Sequence, residues 1–324
     1  MSRYASSILG VLVFVLVMQV VVLAPQNVNE RRKSLGSLPN APSADIEQAM
    51  RGVHLVETSE GAREWELWAD EAVAFKNRNV WELKQVKVVL FAENGVEFTV
   101  TGDRGEIETQ TKNLQIAGSV VTKSSNGYLF KTETVNYSSE QRRLLSPGAV
   151  EMTGPKDLKG HRLALKGEGL DADLKSSLIN IKSGVRAERQ LPPDRTVVIR
   201  SDGARFSGKE RLAKFLGNVI MDMDDMRITG PEAEFEYDAN KEIVKSIAVK
   251  GGVKVSDSEK WATSQNLKVH FEEDKYIFRG NPRVVQDSDE LRGEEIVFLD
   301  GGRKVLVQRA RARVDERSLE KVNN

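Results

Sequence analysis

From Gly52 onward the chain alternates, apolar residues standing two apart with polar residues between them, which is the period of a β-strand with one buried face. Trp65, Leu67 and Ala69 form one such run, Val86, Val88 and Leu90 a second, Val96, Phe98 and Val100 a third, and Leu114 and Ile116 continue the series. In the later half, Ala233, Phe235 and Tyr237 are separated by Glu234 and Glu236, and Leu267, Val269 and Phe271 by Lys268 and His270. Turn signals punctuate the runs at Asn94-Gly95, Asn126-Gly127, Asp238-Ala239-Asn240 and Asp300-Gly301-Gly302. Helical spacing does not persist over a useful length in this body, so the pattern predicts an all-β protein of antiparallel strands.

A longer period is superposed on the first. An apolar pair leads to Gly and then Val at Gly118-Ser119-Val120, Gly148-Ala149-Val150, Gly184-Val185, Gly217-Asn218-Val219 and Gly251-Gly252-Val253, and more loosely from Gly280 to Val284. The glycines are spaced by 30, 36, 33, 34 and 29 residues, room for several short strands each. A glycine at each step predicts a sharp strand-to-strand corner that a β-carbon would obstruct. Such units stack either as one solenoid or as two jelly rolls end to end. Pro192-Pro193 is the only double proline, and proline cannot donate to a strand ladder. A boundary is therefore expected there, between β domains spanning 51–190 and 194–314, with a disordered tail over 315–324.

The N-terminus breaks the alternation. No charge falls between Arg3 and Glu30, and Ala5 to Ala24 is a 20-residue aliphatic run carrying Ile8, Val11, Phe14, Val17, Val20 and Leu23. As a helix it would span roughly 30 Å, the thickness of a hydrocarbon core. A transmembrane anchor over 1–28 is the favoured reading. A cleaved signal peptide competes with it, because Val22-Leu23-Ala24 fits the rule for a cleavage site, although Pro25 would follow the cut. Arg31, Arg32 and Lys33 follow the span, so the positive-inside rule read literally keeps the body in the cytoplasm; long domains translocate largely regardless of it. Residues 29–50 read as a flexible linker.

Composition removes several chemistries. In 324 residues, 48 Lys and Arg balance 48 Asp and Glu, which leaves no basic surplus for nucleic acid. There is no cysteine, hence no disulfide, thiolate metal site or cysteine nucleophile. His54, His161 and His270 are too far apart for an HExxH helix, and no metal or cofactor is expected. Gly203 to Glu210 has phosphate-loop spacing but ends in Glu210 where Ser or Thr would hold magnesium. Gly167 to Ala172 fits a loose dinucleotide fingerprint with no helix behind it. Asp222, Asp224 and Asp225 lack the frame of a calcium loop and, alternating with Met221 and Met223, read as a solvated strand face. Arg309, Arg311 and Arg313 alternate with Ala310, Ala312 and Val314. They read as a protected sheet edge, or as a docking edge that admits an acidic partner.

What remains is an apolar inner face. In the first half it comprises Leu67, Val86, Val88, Phe98, Val100, Leu114, Ile116, Phe130 and Tyr137. In the second it comprises Phe206, Phe215, Val219, Phe235, Tyr237, Val253, Val255, Leu267, Val269 and Phe271. If the two sheets are splayed, these positions line a groove able to shield acyl chains, at about 0.8 kcal/mol per buried CH₂.

The order of motifs is also familiar. Gly52 to Glu57, Gly61 to Ala69, Val86 to Leu90, the Gly102–Gly105 turn, Leu114 to Val120 and Asn126 to Thr132 together resemble LptC, a family of membrane-anchored periplasmic lipopolysaccharide-transport proteins. Ala204 to Phe206, Phe215 to Val219, Ile228 to Tyr237, Gly251 to Val255 and Leu291 to Gly293 resemble the LptA or OstA-type bridge domain. The resemblance implies two V-shaped, twisted antiparallel β jelly rolls stacked end to end behind an inner-membrane anchor, with the body in the periplasm. It implies a non-enzymatic carrier that accepts lipopolysaccharide from an inner-membrane ABC transporter. The cargo would pass to a further LptA-like bridge protein or to an LptD-type outer-membrane translocon. Typical LptC chains stop after one domain. The competing readings are a membrane-anchored scaffolding β protein with a closed core and no cargo, and, more remotely, a polysaccharide-cleaving enzyme. The last would need clustered carboxylates, whereas here they are spread through nearly every strand.

Overall fold

The computed structural model describes residues 46–313 apart from 60, 77, 158–159, 192–194, 209, 211, 238–243 and 301–302. The expected anchor, most of the linker, the double proline, the Asp238–Asn240 turn and the C-terminal tail therefore lie outside the described residues, which include no helix long and apolar enough to cross a membrane.

Among the described residues twenty-one strands form a single sheet, and the pairings from β2 to β21 are antiparallel. The first nine are β1 (Ile46–Ser59), β2 (Ala62–Phe75), β3 (Val80–Phe91), β4 (Glu97–Glu108), β5 (Leu114–Ser124), β6 (Leu129–Ser138), β7 (Arg143–Thr153), β8 (Ala164–Asp173) and β9 (Leu178–Leu191). They are followed by β10 (Arg195–Ser201), β11 (Gly203–Ser207), β12 (Leu212–Met223), β13 (Met226–Tyr237), β14 (Val244–Ser256) and β15 (Lys260–His270). The last six are β16 (Lys275–Arg279), β17 (Arg283–Gln286), β18 (Asp289–Arg292), β19 (Glu295–Leu299), β20 (Lys304–Gln308) and β21 (Arg311–Arg313). The order is a meander: from β2 to β9 each strand pairs with the next. Across the expected boundary the ladder continues, Arg195 opposite Leu191 through Ser201 opposite Val185. β10 and β11 together face β9 and β12, as two halves of one strand. β16 and β17 face β15 in the same way.

The recurrent glycines do something other than turn corners. Gly118, Gly148, Gly184, Gly217 and Gly251 lie inside β5, β7, β9, β12 and β14. There the register slips between neighbouring strands, as at Ala117/Val120, Ser146/Ala149, Leu216/Val219 and Lys250/Val253. Each slip is a β-bulge, whose extra residue bends the strand and increases its twist. The glycine period thus marks a seam of mid-strand bends, a correction to the corner reading. Gly167 to Ala172 lies within β8, and the stretch from Gly203 runs along β11 to Ser207 before turning at Gly208, so neither look-alike leads into a helix.

Bending brings distant strands together. Tyr137 on β6 meets Glu64 on β2, and Arg195 on β10 meets Tyr276 on β16. Two hydrophobic cores result. The first gathers Val53, Trp65, Leu67, Val88, Val100 and Ile116 with Tyr137, Leu144 and Leu174. The second runs from Phe130 to Ile296. Strands β6 to β8 serve both: Val135, Tyr137, Leu144 and Ala172 pack in the first core, Phe130, Val150, Met152 and Leu165 in the second, and Ile179 touches each.

Candidate functional site

Strand alternation aims every inner-face residue named from the sequence toward these cores. In the first, Leu67, Val86, Val88, Phe98, Val100, Leu114, Ile116 and Tyr137 are buried, as is Phe130 in the second. Phe206, Phe215, Val219, Phe235, Val253, Leu267, Val269 and Phe271 are buried in the second, while Tyr237 and Val255 are half-buried against it. Phe206, Phe215 and Phe235 form an edge-to-face ladder, with centroids 6.4 and 5.3 Å apart. Each buried side chain of this size contributes about 1.5–3 kcal/mol to holding the strands together.

Among the described residues the surface is hollowed at more than one place, including a cavity of about 320 Å³ beside Val80, Leu114, Tyr137 and Leu145. A cavity of about 400 Å³ lies among Met223, Val255, Trp261, Tyr276, Phe278 and Phe298, within the size range of ligand pockets. Arg195 stands in its wall, donating from Nη1 to Tyr276 Oη at 2.7 Å and from Nη2 to Asp274 Oδ1 at 2.8 Å, so β10 is tied to β16 across the opening. A narrow cavity of about 30 Å³ sits where the two cores meet, between Phe98, Tyr128, Ile179 and Phe206.

Several polar groups on the outer faces are paired. Asp222 accepts from Arg227 Nε at 2.6 Å and Arg200 Nη1 at 2.9 Å, and these bonds hold its carboxyl below the usual range. That is the solvated strand face expected of Asp222. Arg311 and Arg313 lie on β21, which pairs with β18 through Arg292 opposite Arg311 and Glu290 opposite Arg313. Arg309 does not share their strand: it precedes β21 at φ 51° and pairs with Glu294. Among the described residues no further strand pairs with the other side of β20 or β21, and Val305 and Leu306 on β20 are exposed.

One inward residue escaped the sequence reading. Arg189 follows Val185 and Ala187 on the buried face of β9, with its guanidinium 5.3 Å over the Tyr237 ring. The strict alternation of β9 was the available signal, and charge hid it. Nearby Tyr128 has its pKa pushed up to about 12 by burial and by Tyr237.

Two family models match the chain in succession. Residues 10–190 match the family model described as lipopolysaccharide-assembly, LptC-related, and residues 198–300 match that of the LptA/LptD N-terminal domain lipopolysaccharide transport protein. A crystal structure of LptH, the LptA-homologous periplasmic component of the lipopolysaccharide transport device from Pseudomonas aeruginosa, aligns at 14% identity with a TM-score of 0.34. That alignment covers 37% of this chain and 94% of LptH. No curated protein matches. The LptC model alone spans more than half of the sequence, so the chain belongs to the LptC-related family of lipopolysaccharide-assembly proteins, and an LptA-like domain is fused behind its LptC portion.

Proposed function

We propose that this protein is a non-enzymatic conduit that takes lipopolysaccharide from the inner-membrane ABC transporter and hands it along a periplasmic bridge toward the outer membrane. Ala5 to Ala24 anchors it in the inner membrane, with the body in the periplasm. The LptC portion, 51–190, receives the lipid, and the LptA-like portion, 194–314, passes it to a further bridge protein or an LptD-type translocon. Both portions are taken as V-shaped jelly rolls, and energy comes from ATP hydrolysis by the transporter. The observation that carries this reading is the apolar inner face that continues from one core to the other through the shared strands β6 to β8. Acyl chains travel against that face where the layers part, and Arg311 and Arg313 offer the outgoing edge to an acidic partner strand.

A closed scaffold without cargo is the second reading, favoured by the full burial of Leu67, Val88 and Val100. Photo-crosslinkers separate the two. In cells with active transport, lipopolysaccharide adducts are expected from Phe98, Phe130 and Phe235 and not from the outward Glu97 and Glu234; adducts from neither set would remove the conduit. Topology is tested by alkaline phosphatase fused after Asn324, which is active only if the body is exported.

A further inference from the structure

Arg189 is a cation set into an apolar wall. Its side chain is 5% exposed, and its nearest counter-charge, Asp157 Oδ2, stands 3.6 Å from Nη2, beyond hydrogen-bond length. Its Nε has no hydrogen-bond partner among the described residues. An arginine has five N–H donors, and burying its charge with the Nε donor unmet is costly enough to need an explanation.

Closing the loop between β7 and β8 does not supply one. Asp157 Oδ1 already accepts from the His161 N–H at 2.9 Å, and the Asp157 N–H donates to the His161 carbonyl at 2.9 Å. Arg195 provides the contrast, with two donors engaged by Tyr276 and Asp274. Arg189 is held instead by the Tyr237 ring, a cation–π contact that places the guanidinium without using its donors.

We propose that Arg189, backed by Tyr237, is an interior subsite for the phosphate headgroup of an anionic amphiphile whose alkyl chain lies against the second core. The proposal rests on the lipid-carrier reading above and gives it a polar station. A guanidinium fork bonds two phosphate oxygens at once, which a lysine cannot do in the same geometry. Asp157 remains close enough to take the cation back when the headgroup leaves, so the subsite suits passage. Its position is the wall where Tyr128 and Phe130 from the LptC portion meet Tyr237 from the LptA-like portion. The headgroup would bind there as the cargo crosses between portions.

Calorimetric titration of the full chain with n-decyl phosphate, n-decyl maltoside and inorganic phosphate tests this, with the alkyl probes kept below their micelle concentrations. The wild type is expected to bind decyl phosphate at least about tenfold tighter than decyl maltoside, and Arg189→Met to lose that preference while binding the maltoside within about twofold of wild type. Asp157→Asn retains the acceptor for His161 and removes the competing charge, so it is expected to tighten decyl phosphate. Arg189→Met binding decyl phosphate as wild type does, or Asp157→Asn leaving it unchanged, would overturn the subsite; retained maltoside binding would then leave the carrier reading standing. Failure of the wild type to bind either alkyl probe would overturn both. Inorganic phosphate binding as tightly as decyl phosphate would overturn the amphiphile assignment.

Discussion

Tyr137 on β6 donates its hydroxyl hydrogen to Glu64 Oε1 on β2 over 2.7 Å, joining two strands that β3, β4 and β5 separate in the sheet. Ser139 Oγ donates to the same oxygen at 2.6 Å. Glu64 is 5% exposed, so these hydroxyls replace the water that a buried carboxylate has lost. Burial first, and then the Glu64 carboxylate, push the Tyr137 pKa far up. Tyr137→Phe leaves the acceptor one donor short and is expected to lower unfolding free energy by about 1–3 kcal/mol. Glu64→Gln keeps an accepting oxygen and is expected to cost less. Urea denaturation of the two variants gives the order, and a costlier Gln would contradict it.

Gly217 takes φ 74°, and a β-carbon there would collide with Asp202, whose N–H donates to the Gly217 carbonyl at 2.9 Å. Gly118 meets Asp103 in the same way, so the two portions build the seam alike. Gly184 also has a positive φ but open space around it. Gly184→Ala therefore isolates backbone strain, about 1–2 kcal/mol, and Gly217→Ala adds an overpacking cost of roughly 1 kcal/mol or more. Thermal melts of the pair test the difference; equal losses would mean that Asp202 simply moves aside.

The same seam explains what could be read in advance. Alternation placed Leu67, Val88, Phe215 and Phe235 inside, because a strand offers each residue only two faces. It could not distinguish a glycine that ends a strand from one that bends it, since both need the same backbone freedom; the difference lies in the partner strand's register. Arg189 was missed for another reason. Its inward place was written in the alternation of β9, but whether a charge at such a position is tolerated depends on Asp157 and Tyr237, both distant in sequence.

Glu234 gives a pH signature. Burial raises its pKa, but hydrogen bonds from Lys214 at 2.5 Å and Lys250 at 2.6 Å outweigh burial and bring it to about 2 from the ordinary 4.5. A folded pKa below the unfolded one stabilises at pH above the unfolded value, and this stabilisation disappears as pH falls from 4.5 through about 2. Glu234→Gln is expected to be less stable than wild type at pH 7 by about 1 kcal/mol, after allowance for solvent screening, and the two should converge near pH 2. A difference that persists at pH 2 would assign the effect to packing.

Arg311 and Arg313 are exposed on the last strand, so their reversal to Glu is expected to change stability by no more than about 0.5 kcal/mol. If that edge receives an acidic strand, the double reversal weakens capture of an LptA-like bridge protein, and raising salt weakens wild-type capture toward the same level. Capture that ignores both charge and salt would place the contact elsewhere.

Strands shared between cores bear on how the protein unfolds. Phe130, Val150, Met152 and Leu165 belong to the LptC portion by sequence but pack in the second core with Phe215, Phe235 and Val249. Cutting the chain after Leu191 strips the cover from these four side chains, each worth about 1.5–3 kcal/mol when buried. It also leaves the β9 edge, Val185 to Leu191, without the β10 ladder. The intact body is accordingly expected to unfold in one cooperative transition, with calorimetric and van't Hoff enthalpies agreeing. A fragment ending at Leu191 is expected to be less stable and to self-associate through the bare edge. Two separated transitions in the intact chain, the first matching the melting of that fragment, would mean that each portion stands alone and that the shared strands contribute little to the second core.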